Sequence, residues 1–217
     1  MRNLFLCILL VLSSAPLLPA QPADPAAPAI VLPAPLRTGG ISLNEALATR
    51  RSVRAFESTK LTLPELSQLL WSAQGVTSSK GQRTAPSAHA KYFLHLYLAL
   101  PTGFYEYIPA THLLQPLSGK DLRATLSTQD TVKNAPVVFL IAGEYDRASQ
   151  GIDRETALRL VNLEAGHAAQ NLLLQATALK LGAAPVGGID PKQTAQAASL
   201  PAAITPIYLI PAGHPKP

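Results

Sequence analysis

The longest patterned stretch of the chain runs from about Glu155 to Leu181, where apolar residues recur at helical spacing. Gly182 is a natural helix terminator, and Pro185 prevents continuation. Four polar residues fall three or four positions apart and form one stripe along this helix: Glu164, His167, Asn171 and Gln175. A helix that is apolar over most of its circumference must be buried, either centrally or against a second subunit.

Shorter patterns predict two more helices and a sheet. Ser42 with Glu45 begins a helix that ends near Thr49, and Thr62 with Glu65 begins one that ends at Gly75. Loop composition predicts a connection over 77–89, and a short helix is expected after Ser118. Alternating or continuous apolar runs predict five strands, at Tyr92–Leu98, Gly103–Ile108, Thr111–Leu114, Pro136–Ala142 and Ile204–Ala212. Strands grouped between helices, without regular βαβ alternation, indicate an α+β fold.

The amino-terminal region has a different composition from the rest. Residues 1–20 have the charged start and short apolar run of a secretory signal peptide, so export to the periplasm or the extracellular space is expected. An uncleaved membrane anchor is the competing interpretation. Residues 21–40 are rich in Pro and Ala and predict an extended linker without a core, which leaves 41–217 as the folded domain. The only cysteine, Cys7, lies in the predicted signal, so disulfides and cysteine chemistry are excluded from the mature chain.

The charge balance is mildly basic. The chain of 217 residues carries a net charge of +5, and removal of Arg2 with the signal leaves 17 basic and 13 acidic residues, or +4. No long basic stripe with interleaved aromatic residues is present, so nucleic acid is not an expected partner. A local anionic ligand is a more economical explanation of the basic residues.

Three arginines lie within five residues. Arg50, Arg51 and Arg54, together with Ser52, offer the bidentate donors that a phosphate group prefers. The alternative is a solvated charged turn, since charge runs are common on surfaces.

A second segment, Pro185-Val186-Gly187-Gly188, follows the long helix. Its glycines expose backbone N–H groups without side chains, which would let a flat ring approach edge-on. The alternative is an ordinary helix-to-strand turn. No nucleophile elbow, phosphate-binding P-loop or dinucleotide-binding glycine motif follows a strand, and the five histidines lack metal-ligand spacing, so no metal site is predicted.

Taken in order, the motifs resemble those of the nitroreductase family of FMN-dependent oxidoreductases, in particular its SagB/azoline-oxidase-like branch. The resemblance covers about residues 41–214. It rests on segments that begin at Arg50-Arg51-Ser52-Val53-Arg54, continue through 66–75, 83–88 and 164–172, and end at Pro185-Val186-Gly187-Gly188. The resemblance implies a mostly antiparallel central sheet flanked by helices, with the long helix buried at the interface of an intertwined homodimer.

The resemblance also implies roles for individual residues. Arg50, Arg51, Ser52 and Arg54 would hold the phosphate and ribityl chain of FMN. Lys216, a basic residue near the carboxyl end, would assist them in binding the phosphate. Pro86, Ser87 and Ala88 would approach the flavin from the partner subunit. The turn formed by Pro185, Val186, Gly187 and Gly188 would lie under the isoalloxazine, with the Gly187 N–H facing flavin N5. No catalytic side chain is identified, because the hydride chemistry belongs to the cofactor.

The activity implied is hydride transfer to an electron-poor organic acceptor such as a nitroaromatic compound or a quinone, with NAD(P)H as the donor. The alternative is an exported flavin- or ligand-binding module that keeps the fold without turnover. The chain departs from the family pattern at His89, where the branch usually has glycine. It also has Ile152 and Asp153 where azoline oxidases have a Lys-Tyr pair, which argues against peptide-azoline oxidation.

Overall fold

The computed structural model describes residues 28–217. The predicted signal peptide and residues 21–27 of the predicted linker lie outside the described residues. Six α-helices and a short 3-10 turn at Ala88–Ala90 occur in this range. The helices are α1 Leu43–Thr49, α2 Leu63–Gln74, α3 Asp130–Lys133, α4 Tyr145–Ala148, α5 Arg154–Ala178 and α6 Pro191–Ala197. None of these helices is long and apolar enough to cross a membrane.

Seven strands form one sheet. They are β1 Ile30–Val31, β2 Leu94–Leu100, β3 Gly103–Ile108, β4 Leu113–Ser118, β5 Val137–Gly143, β6 Gly182–Ala183 and β7 Thr205–Gly213. Their order across the sheet is β1-β4-β3-β2-β5-β7-β6, and every neighbouring pair is antiparallel. The α+β fold with a central antiparallel sheet is therefore confirmed.

Strand β5 is the centre of the core. All seven of its residues are buried, which explains the continuous apolar run that predicts it. Its alternate side chains enter two different clusters. Phe139 and Ile141 pack with α2 and α5 on one face of the sheet, and Val138 and Leu140 pack on the other face beneath α6.

Helix α5 matches its predicted length within a few residues. Asp153 caps its amino end by accepting a hydrogen bond from the Thr156 N–H at 2.8 Å. At the other end Lys180 adopts a left-handed conformation, and the Leu181 N–H closes the last turn by donating to the Ala176 carbonyl. The chain then enters β6 directly, so α5 fixes where the segment after Gly182 begins.

The prediction that residues up to 40 lack a core is wrong for part of that segment. Ile30–Val31 pairs with β4, and Leu32 is only 5% exposed. The Ser67 hydroxyl donates to the Pro33 carbonyl at 2.6 Å, and the Leu36 N–H donates to the Gln68 side chain at 2.8 Å. The segment is extended, as its composition predicts, but it is packed onto α2 and the edge of the sheet.

The prediction of a helix directly after Ser118 is also wrong. Residues 119–129 form turns, and the next helix begins at Asp130. Arg123 explains this, because its guanidinium is paired with Asp121 at 2.6 Å and donates to the Ala135 carbonyl at 2.6 Å. These bonds tie the segment to the start of β5 in a non-helical conformation.

Candidate functional site

The arginine segment lies along the β6 edge of the sheet. Ser52 forms a parallel bridge with Ala183, and the Val53 N–H donates to the Ala183 carbonyl at 3.1 Å. The backbone of 50–54 is therefore an added strand-like segment beside β6. The chain continues from β6 into the 185–188 turn, so the two segments singled out from the sequence are neighbours in one protomer.

Close contact at Gly182 makes this neighbourhood possible. A Cβ atom at Gly182 would lie 2.6 Å from Val53 Cγ1 and 2.7 Å from Val53 Cβ, well inside van der Waals contact. Only a residue without a side chain lets the arginine segment approach β6 this closely.

Replacement of Gly182 with alanine is expected to push the 50–54 segment away from β6. The free energy of unfolding should fall by about 1–2 kcal/mol, as is typical of an overpacked core position. Urea unfolding followed by circular dichroism measures this change. Gly119→Ala is the control, because a Cβ at Gly119 has no atom within 4 Å. Equal stability of the two variants would contradict the assigned contact.

The carboxyl-terminal segment joins the same edge. Phe56 forms an antiparallel bridge with Pro215, and the Lys216 N–H donates to the Ala55 carbonyl at 3.1 Å. The Lys216 backbone therefore lies directly beside the segment that carries Arg54.

The basic side chains at this edge have no acidic partners. Arg51, Arg54 and Lys216 are exposed and Arg50 is half-buried. Within residues 28–217, no ion pair involves any of these four side chains. Arg51 differs from the others, because its guanidinium donates to the Ala48 and Arg50 carbonyls, at 3.1 and 2.8 Å, at the carboxyl end of α1. Positive charges without acidic partners in this segment favour a multiply charged anion such as a phosphate ester.

The 185–188 turn is open to solvent at its glycines. Val186 exchanges two backbone hydrogen bonds with Leu209, at 2.8 and 3.1 Å, which fixes the turn to β7. Among the described residues, the N–H groups of Gly187 and Gly188 donate to no backbone acceptor. A Cβ at Gly187 would meet only the Tyr208 ring at 3.2 Å, and one at Gly188 would meet nothing within 4 Å. The turn offers free donors and space for a flat group.

The structure does not place Pro86, Ser87 and Ala88 near this edge. The Ser87 hydroxyl donates to Glu164 Oε2 at 2.6 Å, near the middle of α5. Glu164 precedes Ala178, the last residue of α5, by 14 residues, which corresponds to about 21 Å of helix. The arginine edge and the Pro86–Ala88 loop are therefore two separate regions of one protomer.

The loop that follows Ser87 is strained. His89, Ala90 and Tyr92 all have positive φ, at 52, 53 and 50°, although none is glycine. The Tyr92 N–H donates to Ser87 Oγ at 2.8 Å and the Ala90 N–H donates to the Ser87 carbonyl at 3.1 Å, so Ser87 holds the loop from His89 to Tyr92.

Replacement of His89 with glycine is expected to relieve part of this strain. His89 is exposed and its left-handed conformation suits glycine, so the free energy of unfolding should rise by about 0.5–1 kcal/mol. Thermal unfolding of the two proteins measures the difference. A loss of stability would mean that the His89 side chain contributes more than its backbone conformation costs.

Glu164 is the anchor of this loop. It is 2% exposed and accepts hydrogen bonds from the Ser87 hydroxyl and, at 3.4 Å, from the Phe93 N–H, while its Oε1 atom has no partner among the described residues. Burial raises the pKa of this carboxyl, and the bond from Ser87 and the nearby Arg83 charge oppose the rise only in part. The sequence marks Glu164 as a member of the polar stripe, but the periodicity does not reveal that it is buried.

The rest of the polar stripe is divided between two environments. Asn171 donates to the Thr84 carbonyl at 3.3 Å, and Gln175 accepts from Gln68 at 3.3 Å, so both help to pack α5 against α2 and its following loop. The side chain of His167 is exposed, and it forms no hydrogen bond in the described part of the chain.

Comparison with known proteins agrees with this arrangement. The sequence model of the Nitroreductase family matches residues 47–214. A protein of Methanocaldococcus jannaschii, provisionally named a nitroreductase, is 40% identical over 157 residues, which cover 68% of this chain and 79% of the relative.

Two solved structures extend the comparison. A protein of Ralstonia eutropha, also provisionally named a nitroreductase, superposes with a TM-score of 0.84 at 33% identity and covers 94% of this chain and 97% of its own. A chain of the Escherichia coli microcin synthetase complex has a TM-score of 0.71 at 19% identity, covering 84% and 76%, and shares the fold alone. The chain belongs to the nitroreductase family, and it is an oxidoreductase with the nitroreductase fold.

Proposed function

We propose that the protein is an FMN-dependent oxidoreductase that reduces an electron-poor organic acceptor. The observation that carries the proposal is the edge where Arg50, Arg51, Arg54 and Lys216 lie without acidic partners beside the open glycine turn. A ligand that combines a phosphate with a flat heterocycle fits both halves of this edge. Members of the family generally bind flavin, which agrees with the same ligand.

The residues of the chain would hold the cofactor in a defined orientation. The guanidinium groups and Ser52 would bind the phosphate and the ribityl chain, and Lys216 would add a fourth positive charge. The Gly187 N–H, which is free of backbone acceptors, would donate to the ring system near N5. Bound FMN supplies reversible hydride transfer, and a donor at N5 stabilises its reduced form.

We further propose that the site is completed by a second copy of the chain. The Pro86–Ala88 loop contacts α5 about 21 Å before the helix end that leads to β6 and the arginine edge, so one protomer does not bring both to the same ligand. An antiparallel arrangement of two α5 helices would place the loop of one protomer beside the arginine edge of its partner. Exposed Leu163, on α5, is an apolar residue available for such a contact.

The acceptor class follows from the open turn and from the family. Nitroaromatic compounds and quinones are flat and electron-poor, and NAD(P)H is the donor that the family implies.

The SagB-like branch remains our assignment on its motifs. Peptide-azoline oxidation is not proposed, because Ile152 and Asp153 replace the Lys-Tyr pair. Asp153 is instead used as the amino-terminal cap of α5.

We propose that the protein is exported, on the basis of the charged start and apolar run in residues 1–20. Expression of the full chain with a carboxyl-terminal tag, followed by fractionation and mass determination of the amino terminus, tests this. A mature protein that begins near Gln21 in the exported fraction supports the proposal. Retention of Met1 in the cytoplasmic fraction contradicts it.

The decisive experiment for the function is spectroscopic. The purified protein, incubated with FMN and freed of excess ligand, should show a bound-flavin spectrum that bleaches when NADPH or NADH is added without oxygen. Addition of a quinone should restore the oxidised spectrum. A bound flavin that neither nucleotide reduces would favour the binding module without turnover, and failure to retain flavin would overturn the proposal.

A further inference from the structure

A large cavity lies on the face of the sheet opposite α5. Its volume is about 760 Å³, which is in the range of small-molecule sites. The cavity is bounded by β2–β4 on one side and by the segment that follows α6 on the other. It shares no lining residue with the arginine segment or with the 185–188 turn. Most of its walls are apolar, and they include Leu117, Leu122, Ala197, Leu200, Pro201 and Ile204.

The floor of the cavity is a stack of three rings. Tyr97 lies between His95 and Phe104, with centroid distances of 6.1 and 5.5 Å and interplanar angles of 14° on both sides. Tyr97 and Phe104 belong to the packed core, so the floor is rigid and already formed without a ligand.

Polar groups converge on one side of this floor. Glu106 Oε1 lies 2.7 Å from His95 Nδ1, and Glu144 Oε2 lies 3.6 Å from His95 Nε2. Both carboxylate side chains are 24% exposed, so a ligand can reach them. The two carboxylates therefore flank one imidazole at the end of an apolar cavity.

The Tyr97 hydroxyl belongs to the same group. Tyr97 as a whole is 3% exposed and lines the cavity. Within residues 28–217 its hydroxyl forms no protein hydrogen bond, and it is not among the fully enclosed atoms that lack a partner, so the cavity can reach it. Burial raises its pKa, and the charges of Glu106 and Glu144 raise it further, so the hydroxyl stays neutral and lies near both carboxylates. A tyrosine hydroxyl that faces a cavity and has no protein partner is available to a polar group of a ligand.

The two carboxylates beside the ring stack differ in their ion pairing. Glu144 is paired with Arg147, which does not line this cavity, whereas the ion pair of Glu106 within residues 28–217 is with His95 alone. In the described part of the chain Glu106 forms no ion pair with a lysine or an arginine, and this includes Lys120, which lines the same cavity. A ligand ammonium group would supply the missing charge.

We propose that this cavity is a second binding site, for an organic cation with an apolar body, such as a primary amine carrying an aromatic ring. The ammonium group lies between Glu106 and the Tyr97 hydroxyl, and the apolar part packs against Leu122 and Leu200. The site is separate from the arginine edge and does not depend on bound flavin.

The test compares three ligands of similar size and different charge. Isothermal titration calorimetry of the purified protein with 2-phenylethylamine should give saturable binding. The neutral 2-phenylethanol and the anionic 3-phenylpropionate should bind at least about tenfold more weakly, as expected when a charged hydrogen bond is lost. Equal affinity for the amine and the alcohol, or no saturable binding of the amine, would overturn the proposal.

Two variants locate the binding in the cavity. Glu106→Gln keeps the shape of the side chain and should weaken amine binding about tenfold or more. Ala203→Trp fills the cavity from an exposed position and should abolish it, without removing a core residue. The matched control is Glu155→Gln, which removes the same charge from an exposed position on α5. A similar loss in the control would show that the amine binds through general surface charge, and the proposal would fail.

Discussion

Replacement of Arg54 with alanine should weaken the retention of FMN by about 10- to 100-fold, or about 1.5–3 kcal/mol, the contribution of one hydrogen bond to a charged group. Arg54 is exposed and has no acidic partner in the described range, so its guanidinium is available to a ligand. Its backbone is held independently, because its carbonyl accepts a hydrogen bond from the Thr131 hydroxyl at 3.2 Å. The substitution therefore removes charge without releasing the segment.

Fluorescence titration of FMN into the apoprotein measures this loss, since flavin emission changes on binding. Arg37→Ala is the matched control, because Arg37 is an exposed arginine whose guanidinium donates to the Thr77 carbonyl and which belongs to neither half of the proposed flavin site. The control should retain flavin as the wild-type protein does. The salt dependence of FMN affinity gives a second criterion. Because the Arg54 variant lacks one phosphate contact, its FMN binding should be less sensitive to ionic strength than that of the wild-type protein. Unchanged flavin affinity in the Arg54 variant would contradict the assignment of this edge.

The sequence predicts the long elements of the fold because their patterns are local. Helix α5 is apparent from the period of its apolar residues and from Gly182, and β5 is apparent from its continuous apolar run. Strand β1 has two residues and exists only because β4 lies beside it. No local pattern indicates such a strand, so the sequence predicts a linker where the packed segment 30–36 lies.

The candidate site, like the fold, is predictable from the sequence only where its signals are local. The residue types suitable for a phosphate and a flat ring can be recognised at 50–54 and 185–188 from the sequence. Their proximity depends on Gly182, which lets Val53 approach β6 from 129 positions earlier in the chain. The anchor at Glu164 and the ring stack beneath the second cavity depend on contacts of this long-range kind. Neither could be inferred from spacing alone.

Replacement of Glu164 with alanine should lower the free energy of unfolding by about 2–4 kcal/mol. The carboxylate accepts hydrogen bonds from the Ser87 hydroxyl and the Phe93 N–H, and its removal would leave that buried N–H unpaired beside a cavity. The loop from His89 to Tyr92, with its three residues of positive φ, would also lose its attachment to α5. Urea unfolding monitored by circular dichroism gives the change. Near-wild-type stability would show that Glu164 does not hold the loop.

Glu164→Gln separates the role of the anchor from the effect of the charge, because glutamine keeps an oxygen that can accept from Ser87. Burial raises the pKa of Glu164 above its ordinary 4.5, so the folded protein holds this proton to a higher pH than the unfolded chain does. Below pH 4.5 the carboxyl is protonated in both states, and its contribution is constant. As the pH rises from 4.5 through the raised pKa, the folded state loses stability relative to the unfolded state. The glutamine variant lacks this loss, so its stability relative to wild type should increase with pH across that window.

Asp153→Asn is the control, because its stability relative to wild type is expected to change with pH in the opposite direction. The Asp153 carboxylate accepts a hydrogen bond from the Thr156 N–H at the start of α5, which lowers its pKa from the ordinary 3.8. Its contribution is present above pH 3.8 and is lost as the pH falls through the lowered pKa, so the asparagine variant should approach the wild-type protein in acid. Unfolding curves measured from pH 3 to pH 8 should therefore show differences from wild type that grow in opposite directions for the two variants. Parallel curves for Glu164→Gln and the wild-type protein would mean that the Glu164 carboxyl ionises as easily in the folded state as in the unfolded chain, and that its burial imposes no cost on the loop it anchors.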